Sequence, residues 1–241
     1  DVNAREVFDY ALSLGNNAIF CHAYTINGCA LYPSRLGPVS AGSAGTLLPD
    51  LYGLARRDGL PFWSYFNVGQ DAHVNGVRPY WLIPGTATGG DPSGFLAPET
   101  PWTDLLCARV EELLAGWKVD WLLFDGFVYG SFKPDLFRVP PAWYAEEPFR
   151  QIVGRALPPT IGGIPPEENL LYKREILARR FRRIRDTVKR ASPGTKICFN
   201  VPYWEPAEPL WVGHPMLEES DGLLAETTNE ALVEYLLGIR K

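Results

Sequence analysis

The 241-residue sequence is poor in the side chains that most often announce chemistry: three histidines, four cysteines and one methionine. The histidines, His22, His73 and His214, are scattered with neither H-x-H nor H-E-x-x-H spacing. A metal-dependent hydrolase therefore lacks its usual ligand pattern, and no metal or other cofactor is expected. Cys21, Cys29, Cys107 and Cys198 form no C-x-x-C pair; the spacings suit neither a zinc site nor a disulfide framework, so free, mostly buried thiols are expected. No G-x-S-x-G elbow argues for a serine hydrolase. Neither G-x-G-x-x-G nor G-x-x-x-x-G-K-[ST] offers a phosphate cradle. No apolar run approaches the roughly 18 residues of a membrane helix. A net charge of −5 is a poor basis for gripping nucleic-acid backbones. Neither a membrane nor a nucleic acid is an expected partner. The first residues, DVNAREVFDYAL, are charged and helical in spacing, with no visible signal peptide or anchor. Because Met216 is the only methionine, residue 1 is not a translation start. A processed, excised or fragmentary product is expected, soluble and of unreadable compartment, with further chain or domains of a larger protein among its partners.

What is present is an ordinary globular composition, 46% hydrophobic and 21% charged, too apolar for a disordered chain. Twelve Phe, eleven Tyr and eight Trp make it rich in aromatics, and 23 Gly with 22 Pro put much of it in loops. Apolar residues at helical spacing alternate with short continuous apolar runs. The helices are predicted at 4–14, 47–59, 103–117, 167–190 and 229–241, the strands at 17–24, 61–68, 119–129, 196–204 and 222–227. Thr103 is the predicted N-cap of its helix. The segment 173–190 carries nine Lys and Arg, but Leu177, Phe181, Ile184 and Val188 recur at helical spacing. It reads as an outer helix with one buried and one solvated face.

Strands apolar on both faces, alternating with helices, describe a parallel sheet covered by helices. An open doubly wound sheet and a (β/α)8 TIM-type barrel compete. The glycine-rich turn of the former is missing. Polar and aromatic residues stand instead at successive strand ends: Tyr24, Asn67, Asp71, Asp125, Asn200, Trp204 and Glu226. That arrangement suits the active face of a barrel. With five or six strands, the expectation is a single, incomplete (β/α) barrel over 1–241, carrying long active-face loops at about 84–101 and 130–166.

The strongest candidate for chemistry is Asp125 in LLFDG, a carboxylate closing an apolar strand, where a rigid sheet sets its aim. Asp-Gly is also common in turns. Glu226 in GLLAET is a second carboxylate ending an apolar run, and it could instead cap the helix that follows. Glu218, Glu219 and Asp221 are rival acids nearby. Two carboxylates on one barrel face are what glycoside hydrolysis needs, one at the anomeric carbon and one donating a proton to the leaving oxygen. Asp71, with His73 two residues on, would bind sugar hydroxyls or cap a turn. Tyr24, Asn67, Asn200, Tyr203 and Trp204 offer the hydroxyl, amide and flat apolar surface that sugars require, although core packing competes for the aromatics. His22, inside a strand, reads as a hydrogen-bonded core residue.

The stretch NGCALYPSRLG (27–37), followed by DLYGLARRDGLPFWSYFNVGQDAHV (50–74) and a PYW near 80, resembles the barrel of α-L-fucosidase-related glycoside hydrolases. It is most similar to the group called hypothetical glycosyl hydrolase 6. The resemblance covers about 5–130 and, more weakly, 145–227. It implies a (β/α)8 barrel acting on glycosidic bonds, with Asp125 at the position of the family nucleophile. The family's His-His-Asp-Gly run is replaced here by Thr25, Ile26, Asn27 and Gly28, which removes two substrate contacts and the argument for fucose. Glu226 is assigned from strand position alone. The expectation is a glycoside hydrolase with a carbohydrate substrate, Asp125 and Glu226 being catalytic. The alternative is a catalytically silent carbohydrate-binding or scaffold barrel.

Overall fold

The computed structural model describes residues 2–83, 94–126, 142–201 and 214–225. Five parallel strands form one sheet: β1 (Ile19–His22), β2 (Phe62–Asn67), β3 (Trp121–Asp125), β4 (Lys196–Val201) and β5 (Gly222–Ala225). Their spatial order is their sequence order. A doubly wound sheet reverses direction at a switch point, whereas a barrel adds each strand beside the last. The architecture is therefore of the (β/α)-barrel type, with five strands among the described residues against the eight of a closed barrel. α1 (Ala4–Ser13) precedes them, and between them lie α2 (Leu47–Arg57), α3 (Ala72–Val77), α4 (Trp102–Gly116), α5 (Ala142–Val153), α6 (Pro166–Ala191) and α7 (Pro215–Glu218).

Alternation along the strands sorts side chains between two faces. On β2, Phe62, Ser64 and Phe66 are buried against the helices, while Trp63, Tyr65 and Asn67 on the other face are half-buried. The helix-facing side is an aromatic ladder. Phe66, Phe124 and Phe199 stack at centroid separations of 5.9 and 5.4 Å, and Phe181 of α6 meets Phe199 edge-on at 5.0 Å. The predicted stripe of α6 is buried: Leu177, Phe181, Ile184 and Val188, joined by Tyr172 and Ile176. Its outer arginines pair with acids, Arg183 with Asp104 and Arg190 with Glu111. Exposed pairs of this kind contribute little stability. Arg180 departs from that pattern. It is buried and donates to the Val68 carbonyl at the exit of β2.

Two details of the sequence reading are corrected. Thr103 is not the N-cap. The helix begins one residue earlier, at Trp102, because Thr100 Oγ1 accepts from the Trp102 N–H at 3.4 Å while Thr103 Oγ1 donates to the Pro98 carbonyl. The predicted loop at 130–166 contains α5, whose Ala145 and Phe149 are buried four residues apart. Pro148 inside this helix removes one N–H from the ladder and masks the helical spacing. In the other predicted loop, Phe95 and Leu96 are buried and bridge to Gln70 and Leu82. The predicted helix at 229–241 lies outside the described residues. All four cysteines are free, three of them buried, and burial pushes the Cys21 thiol up to about 12. Among the described residues, no helix is long and apolar enough to cross a membrane.

His214 makes stability depend on pH. Its Nδ1 accepts from the Met216 N–H at 3.2 Å to cap α7, which places the proton on Nε2, 3.1 Å from the Arg174 carbonyl. Burial pushes its pKa down to about 4 from 6.5; the charges of Arg174 and Arg182 act in the same direction and the Arg174 carbonyl against it. Below pH 6.5 the unfolded chain takes up a proton that the folded chain refuses, so stability falls as the pH drops from 6.5 to about 4. The full loss is about 3 kcal/mol. His214→Asn keeps a capping acceptor. It is expected to flatten that part of the pH dependence in urea melts at pH 7, 5.5 and 4.5, and an unchanged difference from the native protein would contradict the assignment.

Candidate active site

The face of the sheet turned away from the helices is built in layers, as in a barrel interior. At its floor Trp63 and Trp121, register partners on β2 and β3, stack at 4.6 Å and 7°, and Lys196 lies 5.0 Å over the Trp121 ring. The next layer places His22 beside Tyr65, with ring centroids 4.2 Å apart. Above it, at the C-terminal ends of the strands, Asn67 pairs in register with Asp125, and Asn200 follows on β4.

Asp125 is the centre of this upper layer. Its Oδ1 accepts from the Gly126 N–H at 2.6 Å and from Asn200 Nδ2 at 2.9 Å. Its Oδ2 accepts from the Tyr65 hydroxyl at 2.7 Å. Three donors, one from each of three neighbouring strands or the residue just past one, hold a half-buried carboxylate, which fixes its orientation and satisfies its charge. Behind them, Asn67 Oδ1 accepts from the Gly69 and Gln70 N–H groups at 3.0 and 2.8 Å, and its Nδ2 reaches the Tyr65 oxygen at 3.5 Å. Gly126 is required twice over. Its φ is +71°, and an added Cβ would lie 2.7 Å from Asn67 Oδ1. The Asp-Gly pair thus lets the strand end turn while Asn67 keeps its place behind Tyr65.

His22 and Tyr65 are the residues that sequence reading missed. The missing signal was strand parity: Tyr65 stands two before Asn67, and His22 is the register partner of Tyr65. His22 is half-buried rather than a core residue. Burial lowers its pKa, partly offset by a hydrogen bond involving the Tyr24 backbone and by the negative charge of Asp125. The ring next to the carboxylate is therefore neutral at pH 7. Phe20, 5.7 Å from His22, is 48% exposed and continues this face.

Tyr24, Asp71 and His73 do not join the cluster. Tyr24 is 4% exposed, shares a hydrogen bond with Ser34, and lies under the Arg109 guanidinium, 4.1 Å from its ring. Asp71 takes the capping role that the sequence left open: Oδ1 accepts from the Val74 N–H at 2.8 Å. Its Oδ2 is bound to Arg109 Nη1 at 2.6 Å, and the residue is 2% exposed. Gly28, at φ +81°, presses so close that a Cβ there would overlap Asp71 Oδ1. Both residues are wall rather than lining. His73 is exposed on α3.

The rival acids are also placed. Asp221 immediately precedes β5, so it sits at the N-terminal end of the strands, opposite Asp125. It accepts from Lys189 Nζ at 2.8 Å and the Ile197 N–H at 2.9 Å. Burial raises its pKa, but these two donors outweigh it and hold the carboxyl below its ordinary value. Glu219 pairs with Arg185, and Glu218 ends α7, both on the same side of β5 as Asp221. A cleft of about 880 Å³ opens at that end too, lined by Arg56, Lys118, Asp120, Trp121 and Lys196. Its carboxylate, Asp120, is tied to Arg56 and to the Phe62 N–H, so it offers no free acid. Glu226, the residue after β5, lies outside the described residues, as do Tyr203 and Trp204. Among the described residues, no three of His, Cys, Asp or Glu are grouped to hold a metal ion.

No protein-family model and no curated protein matches the chain. Solved structures do. The α-L-fucosidase isoenzyme 2 from Paenibacillus thiaminolyticus is similar to 83% of this chain, at 20% identity and a TM-score of 0.64, and the chain spans 29% of its length. The PgaB (BpsB) glycoside hydrolase domain from Bordetella bronchiseptica is similar to 98% of this chain, at 18% identity and a TM-score of 0.67, with 73% of that domain covered. At these identities the likeness shows a shared fold, the (β/α) barrel, and no more than the fold.

Proposed function

We propose that the chain is the catalytic barrel of a glycoside hydrolase related to the α-L-fucosidases and akin to the hypothetical glycosyl hydrolase 6 group. The observation that carries this reading is Asp125, a carboxylate held by three donors at the C-terminal mouth of a glycoside-hydrolase-type barrel. Asp125 is the nucleophile or charge stabiliser. Its Oδ1 already takes two donors and its Oδ2 one, which leaves Oδ2 the oxygen with a lone pair to offer a reacting carbon. Glu226 is the general acid/base, delivering a proton to the leaving oxygen. Asn200 and Asn67 line the sugar site, and the exposed His73 with Tyr203 and Trp204 forms its outer contacts. The reading does not name fucose, because a Thr25–Gly28 turn stands where the fucosidases carry two histidines.

That same turn supports the second reading, a barrel that binds saccharide without cleaving it. Hydrolysis of a panel of 4-nitrophenyl glycosides by the purified protein separates the two: release of nitrophenol that disappears in Asp125→Asn supports the first, and saccharide binding without release supports the second. Tyr65 is a positioning residue, since its hydroxyl aims the carboxylate and contributes at the reaction only through it. Tyr65→Phe is expected to lower kcat by ~10–100-fold with KM little changed, as for loss of one preorganised donor. An unchanged kcat would remove Tyr65 from the machinery.

A further inference from the structure

The cleft at the N-terminal end of the strands has a charge balance opposite to that of the chain. The sequence as a whole stands at −5, yet this cleft of about 880 Å³ carries Arg56, Lys118 and Lys196 against one carboxylate, Asp120. That carboxylate is engaged. Its Oδ2 accepts from the Phe62 N–H at 2.7 Å, and Arg56 closes on it at 3.0 Å. Acceptors around it are engaged as well. The Lys118 carbonyl receives Arg56 Nη2, the Val119 carbonyl the Thr195 hydroxyl at 2.9 Å, and the Asp120 carbonyl the Lys196 N–H at 2.9 Å. The ammonium groups of Lys118 and Lys196 are not. Asp120 and Asp221, the carboxylates nearby, pair with Arg56 and Lys189 instead, and Lys196 lies 5.0 Å over the Trp121 ring. A helix C-terminus draws cations, which accounts for Lys118, two residues past α4, but not for Lys196, which opens β4.

We infer that this cleft is a second binding site, for an acidic oligosaccharide whose carboxylate or sulfate groups meet Lys118 and Lys196. The choice of a saccharide rests on the glycosidase reading above; the preference for an anion rests on the cleft itself. A neutral sugar donates from its hydroxyls and needs acceptors, and those of Lys118, Val119 and Asp120 are already taken. An oxyanion only accepts, and two ammonium groups only donate. Size argues against a lone inorganic ion, because a cleft of about 880 Å³ has the volume of pockets that take extended organic ligands. Pro61, Val119 and the edge of Trp121 give it an apolar wall for the C–H faces of sugar rings. The site is separate from the reacting centre. The stacked Trp63 and Trp121 lie at its border, and four residues of β3, about 13 Å of strand, part Trp121 from Asp125. A polysaccharide held here keeps other stretches of the same chain near the barrel mouth, which raises their effective concentration at Asp125.

Calorimetry at low ionic strength tests this with a tetragalacturonate, a sulfated maltotetraose, uncharged maltotetraose and sodium sulfate as probes. The proteins are the native chain, Lys118→Gln, Lys196→Gln and the double variant. At least one acidic tetrasaccharide is expected to bind more tightly than either uncharged maltotetraose or sulfate. Its affinity should fall about fivefold in each single variant and ~20-fold in the double, and should weaken with added salt. Lys118→Arg keeps the charge and should bind as the native protein does. Turnover of 4-nitrophenyl glycosides by Lys118→Gln should be unchanged. Equal affinity for uncharged maltotetraose would remove charge as the means of recognition. Sulfate bound as tightly as the tetrasaccharides would leave an ion site only, and affinity unchanged in the double variant would put the site elsewhere. Each of these outcomes overturns the inference. The glycosidase reading fails separately: a native protein that binds the acidic sugar but cleaves no glycoside refutes that reading alone, whereas turnover without such binding refutes this site alone.

Discussion

Asp125→Asn is expected to lower kcat by ~10⁴-fold or more, the scale seen when a nucleophile is removed, while leaving the thermal midpoint within about 2 °C, less than 1 kcal/mol for a chain of this size. The two halves of that expectation have separate causes. The substitution conserves shape. The new carbonyl oxygen can still accept from the Gly126 N–H and from Asn200 Nδ2, as Oδ1 does now. On the other side the Tyr65 hydroxyl, both donor and acceptor, can turn to accept from the new amide. No buried polar group loses its partner, so the fold has no reason to suffer. The chemistry loses its charge: an amide neither attacks an anomeric carbon usefully nor stabilises the positive charge that develops there. Retained binding of the same saccharide, measured by calorimetry, would localise the defect to the chemical step. Activity within tenfold of the native protein would transfer the nucleophile's role elsewhere and sink the proposed mechanism.

The legibility of this site in the sequence was uneven, for physical reasons. Asp125 stood out because an aspartate ending an apolar strand is conspicuous, and the following glycine reports the positive φ that Gly126 has. Asn67 and Asn200 were visible for the same reason, as polar residues at strand ends. Tyr65 and His22 were not, because they sit inside strands where aromatic residues ordinarily pack. Only the register, with His22 beside Tyr65 and Trp63 beside Trp121, tells which face they occupy. The five strands were legible as continuous apolar runs alternating with helical spacing, but their order was not: alternation suits a doubly wound sheet equally, and only the polar strand ends and the missing glycine-rich turn favoured the barrel order that the sheet has. Helix α5 was not legible, because Pro148 and the surrounding prolines look like loop. Asp71 shows the opposite error: a polar residue just past a strand end looks like a ligand until its partner appears, and that partner, Arg109, lies 38 residues away in the middle of α4. A long-range ion pair leaves no local spacing to read.

That ion pair carries the largest expected effect on stability. Arg109 and Asp71 are each 2% exposed, and the guanidinium also donates from Nε to the Leu36 carbonyl at 3.3 Å. It lies between Tyr24, at 4.1 Å, and Trp102, at 5.4 Å. One side chain thus ties the loop after β1, the cap of α3 and the first turn of α4 together. Arg109→Met fills much of the same volume but leaves the Asp71 carboxylate buried with no counter-charge. Breaking a buried pair from one side costs about 3–5 kcal/mol, which for a chain of this size lowers the thermal midpoint by about 10 °C. Asp71→Asn keeps the capping oxygen for Val74 but strands the guanidinium, and a loss of similar size is expected. The double variant should be destabilised by clearly less than the sum, because neither charge is then left alone. All three are expected to keep their activity per folded molecule at temperatures below their melts. That last measurement decides between two accounts of Asp71. If Asp71→Asn lowered turnover without lowering the midpoint, the residue would belong to the sugar site after all. If the midpoint falls and turnover per folded molecule holds, the carboxylate is part of the frame that sets the floor and mouth of the barrel in place, and Asp125 is left as the carboxylate that the frame presents.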